Sequence, residues 1–193
     1  MITTKKELKY YLKQDAIALK KSNKKRPSIF GDEVWKFQIL LRKAEFYTNA
    51  YRGSKKHYIF HFIYYKLKLH KYSVKLGFSI PINVFGPGLS IAHYGTIVVN
   101  SAAQVGKNCR IQEGVNIGAT NGQRSAPKIG DNVFIGTGAK IIGDVTVASD
   151  VAIGANAVVV KSITEQGTTW GGVPARKISD NSSRSNLSAE LFI

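Results

Sequence analysis

The chain has 193 residues, which suits one compact unit with an appendage, and a formal net charge of +16. Residues 1–76 hold 19 Lys/Arg against 5 Asp/Glu, while the remainder holds 9 against 7, so the charge is concentrated in an N-terminal arm. No run reaches the roughly 18 apolar residues of a membrane span, the basic start is not a signal peptide, and one cysteine excludes an internal disulfide; a cytoplasmic location is expected.

Residues 1–77 read as a basic α-helical region. Thr4-Lys5-Lys6-Glu7 is a capping-box pattern, with Leu8, Leu12 and Leu19 near one stripe behind it. Lys20–Pro27 is a polar linker, and Asp32 is the expected N-cap of a second helix bearing Phe37, Leu40, Leu41 and Ala44. A third segment, His57–Leu76, alternates Tyr, Phe and Ile with lysines. Such an amphipathic helix suits either burial against other subunits or peripheral contact with an anionic membrane. His57 and His61 stand four apart, but no carboxylate or cysteine lies near them, so no metal site is expected.

A six-residue clock follows. Val99, Val105, Ile111, Ile117, Ile129, Ile135, Ile141, Val147, Ile153 and Val159 keep it, and only Gln123 breaks it. Neither a helix nor an ordinary strand has that period. A parallel β-helix does, with three hexapeptides per turn and one branched side chain sent inward from each. Ala103, Cys109, Val115, Val133, Ala139, Val145, Val151 and Ala157 fill a second inward-type position, so Cys109 reads as core. Coils are expected from about Ser79 to Ile163. Ala119–Pro127 is a loop thrust out of them, and a polar, mobile tail starts near Asp180.

His93 falls six residues before Val99, in a slot that later repeats fill with Ile or Val, and a broken local rule marks a candidate site. An imidazole titrates near neutrality and can accept a hydroxyl proton. No Ser-His-Asp spacing, P-loop, dinucleotide fingerprint or zinc cysteine set is present. Direct transfer between two bound substrates, assisted by one base, is the chemistry left.

From about Phe78 to Ile178 the chain resembles the left-handed β-helix acyltransferases, and within them the serine acetyltransferase branch. The segments carrying the likeness are Phe85–Gly95 (FGPGLSIAHYG), Ile129–Ile142 (IGDNVFIGTGAKII) and Gly172–Arg176 (GVPAR). Trp35–Tyr47 is similar to members found with surface-polysaccharide genes. The resemblance implies an all-β, left-handed parallel β-helix of hexapeptide repeats at 78–178, after a helical 1–77 and before a tail at 179–193. It implies a homotrimer using acetyl-CoA as co-substrate, with His93 as catalytic base. Gly138, Ala139 and Ala157 would lie along the pantetheine arm, and Val173, Pro174, Arg176 and Lys177 near the adenosine and its 3′-phosphate.

Departures from the branch bear on the acceptor. Serine acetyltransferases carry an Asp before the base, where this chain has Ala92, and a second His where it has Ala126. Phe78 and Ser79 occupy the region of an Asp that orients the base. A serine ammonium needs a carboxylate to replace its lost hydration. The expectation is therefore O-acetylation of a sugar hydroxyl of a surface polysaccharide, with Glu113, Asn116, Asn121, Gln123, Arg124 and Ser125 lining the acceptor side. The alternatives are a serine O-acetyltransferase of cysteine biosynthesis and a non-catalytic basic scaffold or nucleic-acid binder. No nucleic-acid module is recognisable, and His93 in an aliphatic slot argues against the scaffold.

Overall fold

The computed structural model describes every residue except Asn121, Gln123 and Arg124. Three helices come first: α1 (Lys5–Ala18), α2 (Glu33–Gly53) and α3 (Ile59–Leu76). The Thr4 capping box forms as read, with the Thr4 hydroxyl accepting from the Glu7 amide and the Glu7 carboxylate accepting from the Thr4 amide. Asp32 does precede α2, but it has left-handed backbone and caps nothing. Its carboxylate instead accepts from Lys21 Nζ at 2.8 Å and from the Ser28 amide at 3.0 Å, tying the basic linker to the helix start. No described helix is long and apolar enough to cross a membrane.

Short parallel strands then stack into three faces of a prism. One face joins Phe78–Ser79, Ile97–Val99, Asn116–Gly118, Lys140–Ile142 and Val158–Val159. A second joins Gln104–Val105, Lys128–Ile129 and Thr146–Val147. The third joins Ser90–Ile91, Arg110–Ile111, Phe134–Ile135, Ala152–Ile153 and Thr169–Gly171, closed by antiparallel Arg176–Ser179. The aliphatic clock positions from Val99 to Val159 are all buried and form one column of core with Cys109, Ala139 and Ala157. About a third of the chain is helical, so the expected all-β class is corrected to a hexapeptide-repeat prism with a helical N-terminal region.

Register explains why the clock survives the loop. Ile129 pairs with Val147 eighteen residues on, one ordinary turn of three hexapeptides. Val105 pairs with Ile129, and Ile117 with Ile141, at twenty-four residues. The excursion between them thus adds six residues, one full repeat, and the phase is kept.

One corner of the prism is turned by Gly88, Asn108, Asn132 and Asp150, all at positive φ. Asn and Asp tolerate that conformation because their short polar side chains bond locally. Here they bond to each other: Asn108 Nδ2 donates to Asn132 Oδ1 at 2.8 Å, and Asn132 Nδ2 to Asp150 Oδ1 at 3.0 Å. The C-terminal segment is no loose tail. It folds as the 3₁₀ turns Ser183–Asn186 and Ala189–Phe192, buries Ser183 and Leu187, and sets Arg184 Nε 2.9 Å from Asp150 Oδ1.

Candidate active site

His93 stands at a prism corner just beyond the Ser90–Ile91 strand, and it is exposed. It does not fill an aliphatic slot. Ile91 and Ile97 are the inward residues there, buried like Val99. Ile91 pairs with Ile111 at twenty residues, whereas Val99 pairs with Ile117 at eighteen, so two extra residues lie between Ile91 and Val99. Counting back from Val99 crosses that insertion and lands two residues past the inward position at Ile91. The insertion itself bows His93 outward.

The helical region holds the strand that carries His93. The Gln38 side chain, on α2 and fully buried, donates to the Leu89 carbonyl at 2.7 Å and accepts from the Ile91 amide at 3.0 Å. Asp15 on α1 accepts from the Gly88 and Leu89 amides, both at 2.9 Å. Buried backbone groups need partners, and here two helix side chains supply them just before the candidate base. Neither residue was identified from the sequence. Their spacing of 51 residues or more from the strand leaves no local pattern to read.

Glu113 lies on the next coil behind His93. The twenty-residue register running through Ile91 and Ile111 sets Glu113 opposite His93. The eighteen-residue register running through Val98 and Asn116 sets it opposite Gly95. Residues 93–95 therefore bulge over one glutamate, and a Cβ placed on Gly95 would stand 3.1 Å from the Glu113 Cβ. The Glu113 carboxyl is held below the usual carboxylate range by its own backbone amide, then by the Thr137 hydroxyl and the His93 imidazole, against a raising effect of burial. Its Oε2 is withdrawn from solvent and has no hydrogen-bond partner among the described residues. On the following coil Thr137 donates through its amide and hydroxyl to Gln112 Oε1, and the Lys140 ammonium donates to the Gly114 carbonyl.

The other expected site residues are distributed unevenly. Gly138 is at the same corner, at left-handed φ, with its amide donating to the Glu113 carbonyl at 2.8 Å. Ala139 and Ala157 are fully buried, and their amides donate within the coil to Gly136 and Gly154, so their side chains are core and not lining. Val173 and Pro174 are exposed on the turn between the last two strands, and Arg176 is exposed at the start of the last; the turn is fixed by Val158 N to Gly172 O at 3.0 Å and Ala175 N to Val158 O at 2.8 Å. Lys177 is a weaker candidate for a phosphate, because its ammonium is already 2.5 Å from Glu165 and 2.6 Å from Asp180. Asn116 lies in the Asn116–Gly118 strand, beyond Glu113. Asn121, Gln123 and Arg124 lie outside the described residues. At the three departures, Ala92 is half-buried and Ala126 buried. Phe78 is buried edge-to-face on Phe37, with centroids 4.9 Å apart.

Residues 126–161 match the family described as bacterial transferase hexapeptide (six repeats). The serine acetyltransferase of Haemophilus influenzae is 32% identical over 156 residues, covering 77% of this chain and 57% of that protein. That of Staphylococcus xylosus is 40% identical over 88 residues, covering 45% and 41%. The chain thus spans about half the length of the curated relatives it matches. Crystal structures of the serine acetyltransferase from Brucella abortus superpose with TM-scores of 0.66 alone and 0.61 in complex with coenzyme A, at 28% and 27% identity. They cover 92% and 91% of this chain, and 71% and 67% of theirs.

The likeness read from the sequence therefore holds in both sequence and structure: this is a hexapeptide-repeat β-helix chain similar to the acyltransferases of the serine acetyltransferase branch. The expected surface-polysaccharide acceptor is overturned, because these relatives and neighbours are serine acetyltransferases. The expectation rested on Ala92 leaving no carboxylate beside the base. Glu113, already expected on the acceptor side, is the carboxylate that coil stacking sets opposite His93, from twenty residues away.

Proposed function

We propose that this protein is an acetyl-CoA-dependent serine O-acetyltransferase. The observation that carries the reading is the match to the Haemophilus influenzae serine acetyltransferase, which extends over 77% of this chain. The coenzyme A complex of the Brucella abortus enzyme supports acetyl-CoA as donor. The carboxylate of Glu113 makes the corner favourable for an acceptor bearing an ammonium.

In this reading His93 takes the proton from the serine hydroxyl as its oxygen attacks the thioester carbonyl. The tetrahedral intermediate collapses, the carbon–sulfur bond breaks, and the departing sulfur takes up the proton held on His93. The products are O-acetylserine and coenzyme A. The corner at Gly138 and the Val173–Arg176 turn would receive the donor, with Arg176 suited to a phosphate by bidentate, charge-assisted bonding. Asn116 belongs to the acceptor side of the same proposal.

The active assembly is a homotrimer with the site in the cleft between neighbouring prisms, which fits a base that stands exposed in the single chain. Neighbouring copies, and not lipid, would then cover the α3 stripe of Phe60, Ile63, Tyr64, Leu67 and Val74. Incubation with acetyl-CoA and L-serine, followed by mass spectrometry, tests the function. O-acetylserine is the expected product, and free coenzyme A without acetylated serine would contradict it.

A further inference from the structure

We infer that Glu113 is the positioning residue for His93: its unpartnered Oε2 receives an N–H of the imidazole, leaving the other ring nitrogen free to take the acceptor's proton. The base role of His93 rests on the proposed function, but the pairing itself does not. Several independent observations converge on it.

The first is the register. Residues 93–95 bulge over Glu113, so the imidazole and the carboxylate leave adjacent coils at one corner. The second is an unmet requirement. A carboxylate oxygen out of solvent without a donor is costly, and a native structure seldom leaves one so. Lys140, the cation on the coil that follows Glu113, is already engaged by the Gly114 carbonyl. Tyr94, the other ionisable side chain on the His93 bulge, is exposed. Among the described residues His93 is the group left at this corner, and it stands exposed there.

The third is what the rest of the corner lacks. Phe78 and Ser79 flank this corner, paired with Ile97 and Val98 just after the bulge. Phe78 is committed to the core against Phe37, and no acid is available there. The hydrogen bond on one imidazole nitrogen decides which tautomer is present. A carboxylate in that place also stabilises the imidazolium formed when the proton is taken. Glu113 can do both from the coil behind, where a neighbour in the chain could not reach.

The test is an imidazole NMR titration of the full-length protein, with no acceptor or donor added. In Glu113→Gln, the His93 midpoint should move about one pH unit lower, since an opposite charge within roughly 4–6 Å shifts such a group by about 1–3 units. His70, on α3, serves as internal reference and should stay unmoved. Glu113→Asp keeps the charge one methylene further back and should give an intermediate midpoint, which also covers the case of a poorly folded Gln variant. In turnover, Glu113→Gln should lower kcat about tenfold or more, leave KM for acetyl-CoA unchanged, and move the acid limb of kcat/KM to lower pH. A His93 midpoint unchanged in both variants would overturn the pairing. A shifted midpoint in a protein that never acetylates serine would keep the pairing and reject the acceptor.

Discussion

Arg42 and Asp15 meet in the seam between the helices and the first coil, with Nε 2.8 Å from Oδ2 and Nη2 3.2 Å from Oδ1, and neither side chain reaches solvent to any useful extent. The guanidinium also donates to Glu45 and to the Phe85 and Gly86 carbonyls. Asp15 accepts from Gly88 and Leu89, so the pair locks α1 and α2 onto the segment that leads to His93. Removing one partner of a buried pair strands the other charge, which costs about 3–5 kcal/mol. Arg42→Met is therefore expected to lower unfolding stability by that amount in a urea titration. A loss below about 1 kcal/mol would show that the seam is not held electrostatically.

Cys109 is expected to be inert. It is fully buried on an inward position, and burial pushes its thiol up to about 12. A thiolate is the reactive form, so an aromatic disulfide reagent at pH 8 should leave the native protein unlabelled and titrate one thiol after denaturation. Rapid native labelling would contradict the packing of that coil.

The C-terminal turns should come away in acid. Burial raises the Asp150 carboxyl, but hydrogen bonds from Arg184, Gln166 and Asn132 outweigh it and leave the group below its ordinary value. A carboxyl lowered in the folded state contributes stability above its unfolded value, about 3.9, and loses it as pH falls through the folded value. Hydrogen exchange over residues 181–193 should accelerate below about pH 4, and Asp150→Asn should reproduce the change at pH 7. Exchange that ignores both would mean the segment docks through Leu187 and Ser183 alone.

The prism was legible because a six-residue period has one structural cause, and Val99 through Val159 all pack where it puts them. The capping box was legible because Thr4 and Glu7 are local partners. What escaped depends on contacts distant in sequence. The six-residue count sets His93 in an aliphatic slot because the two-residue insertion before Val99 has no compositional mark. Asp32 is a cap by residue type and position, but Lys21 takes its carboxylate. The Ser/Asn-rich end has the composition of a mobile segment, and nothing in it announces the Asn108–Asn132–Asp150 ladder on which Arg184 docks. The acceptor expected from Ala92 is overturned by the serine acetyltransferase relatives and neighbours, and Glu113, which the register sets opposite His93, is not its neighbour in the chain.

The central claim is that the exposed His93 is the base in acetyl transfer to serine, and steady-state turnover of His93→Ala beside the unaltered protein tests it most directly. Coenzyme A release should depend saturably on L-serine in the unaltered protein and fall by about 10²–10⁴ in the variant, the usual worth of a general base. Calorimetric acetyl-CoA affinity should stay within a factor of about two, because the Gly172–Arg176 turn proposed to receive the donor does not involve His93. A variant that keeps its rate, or an unaltered protein whose coenzyme A release ignores serine, would contradict the account.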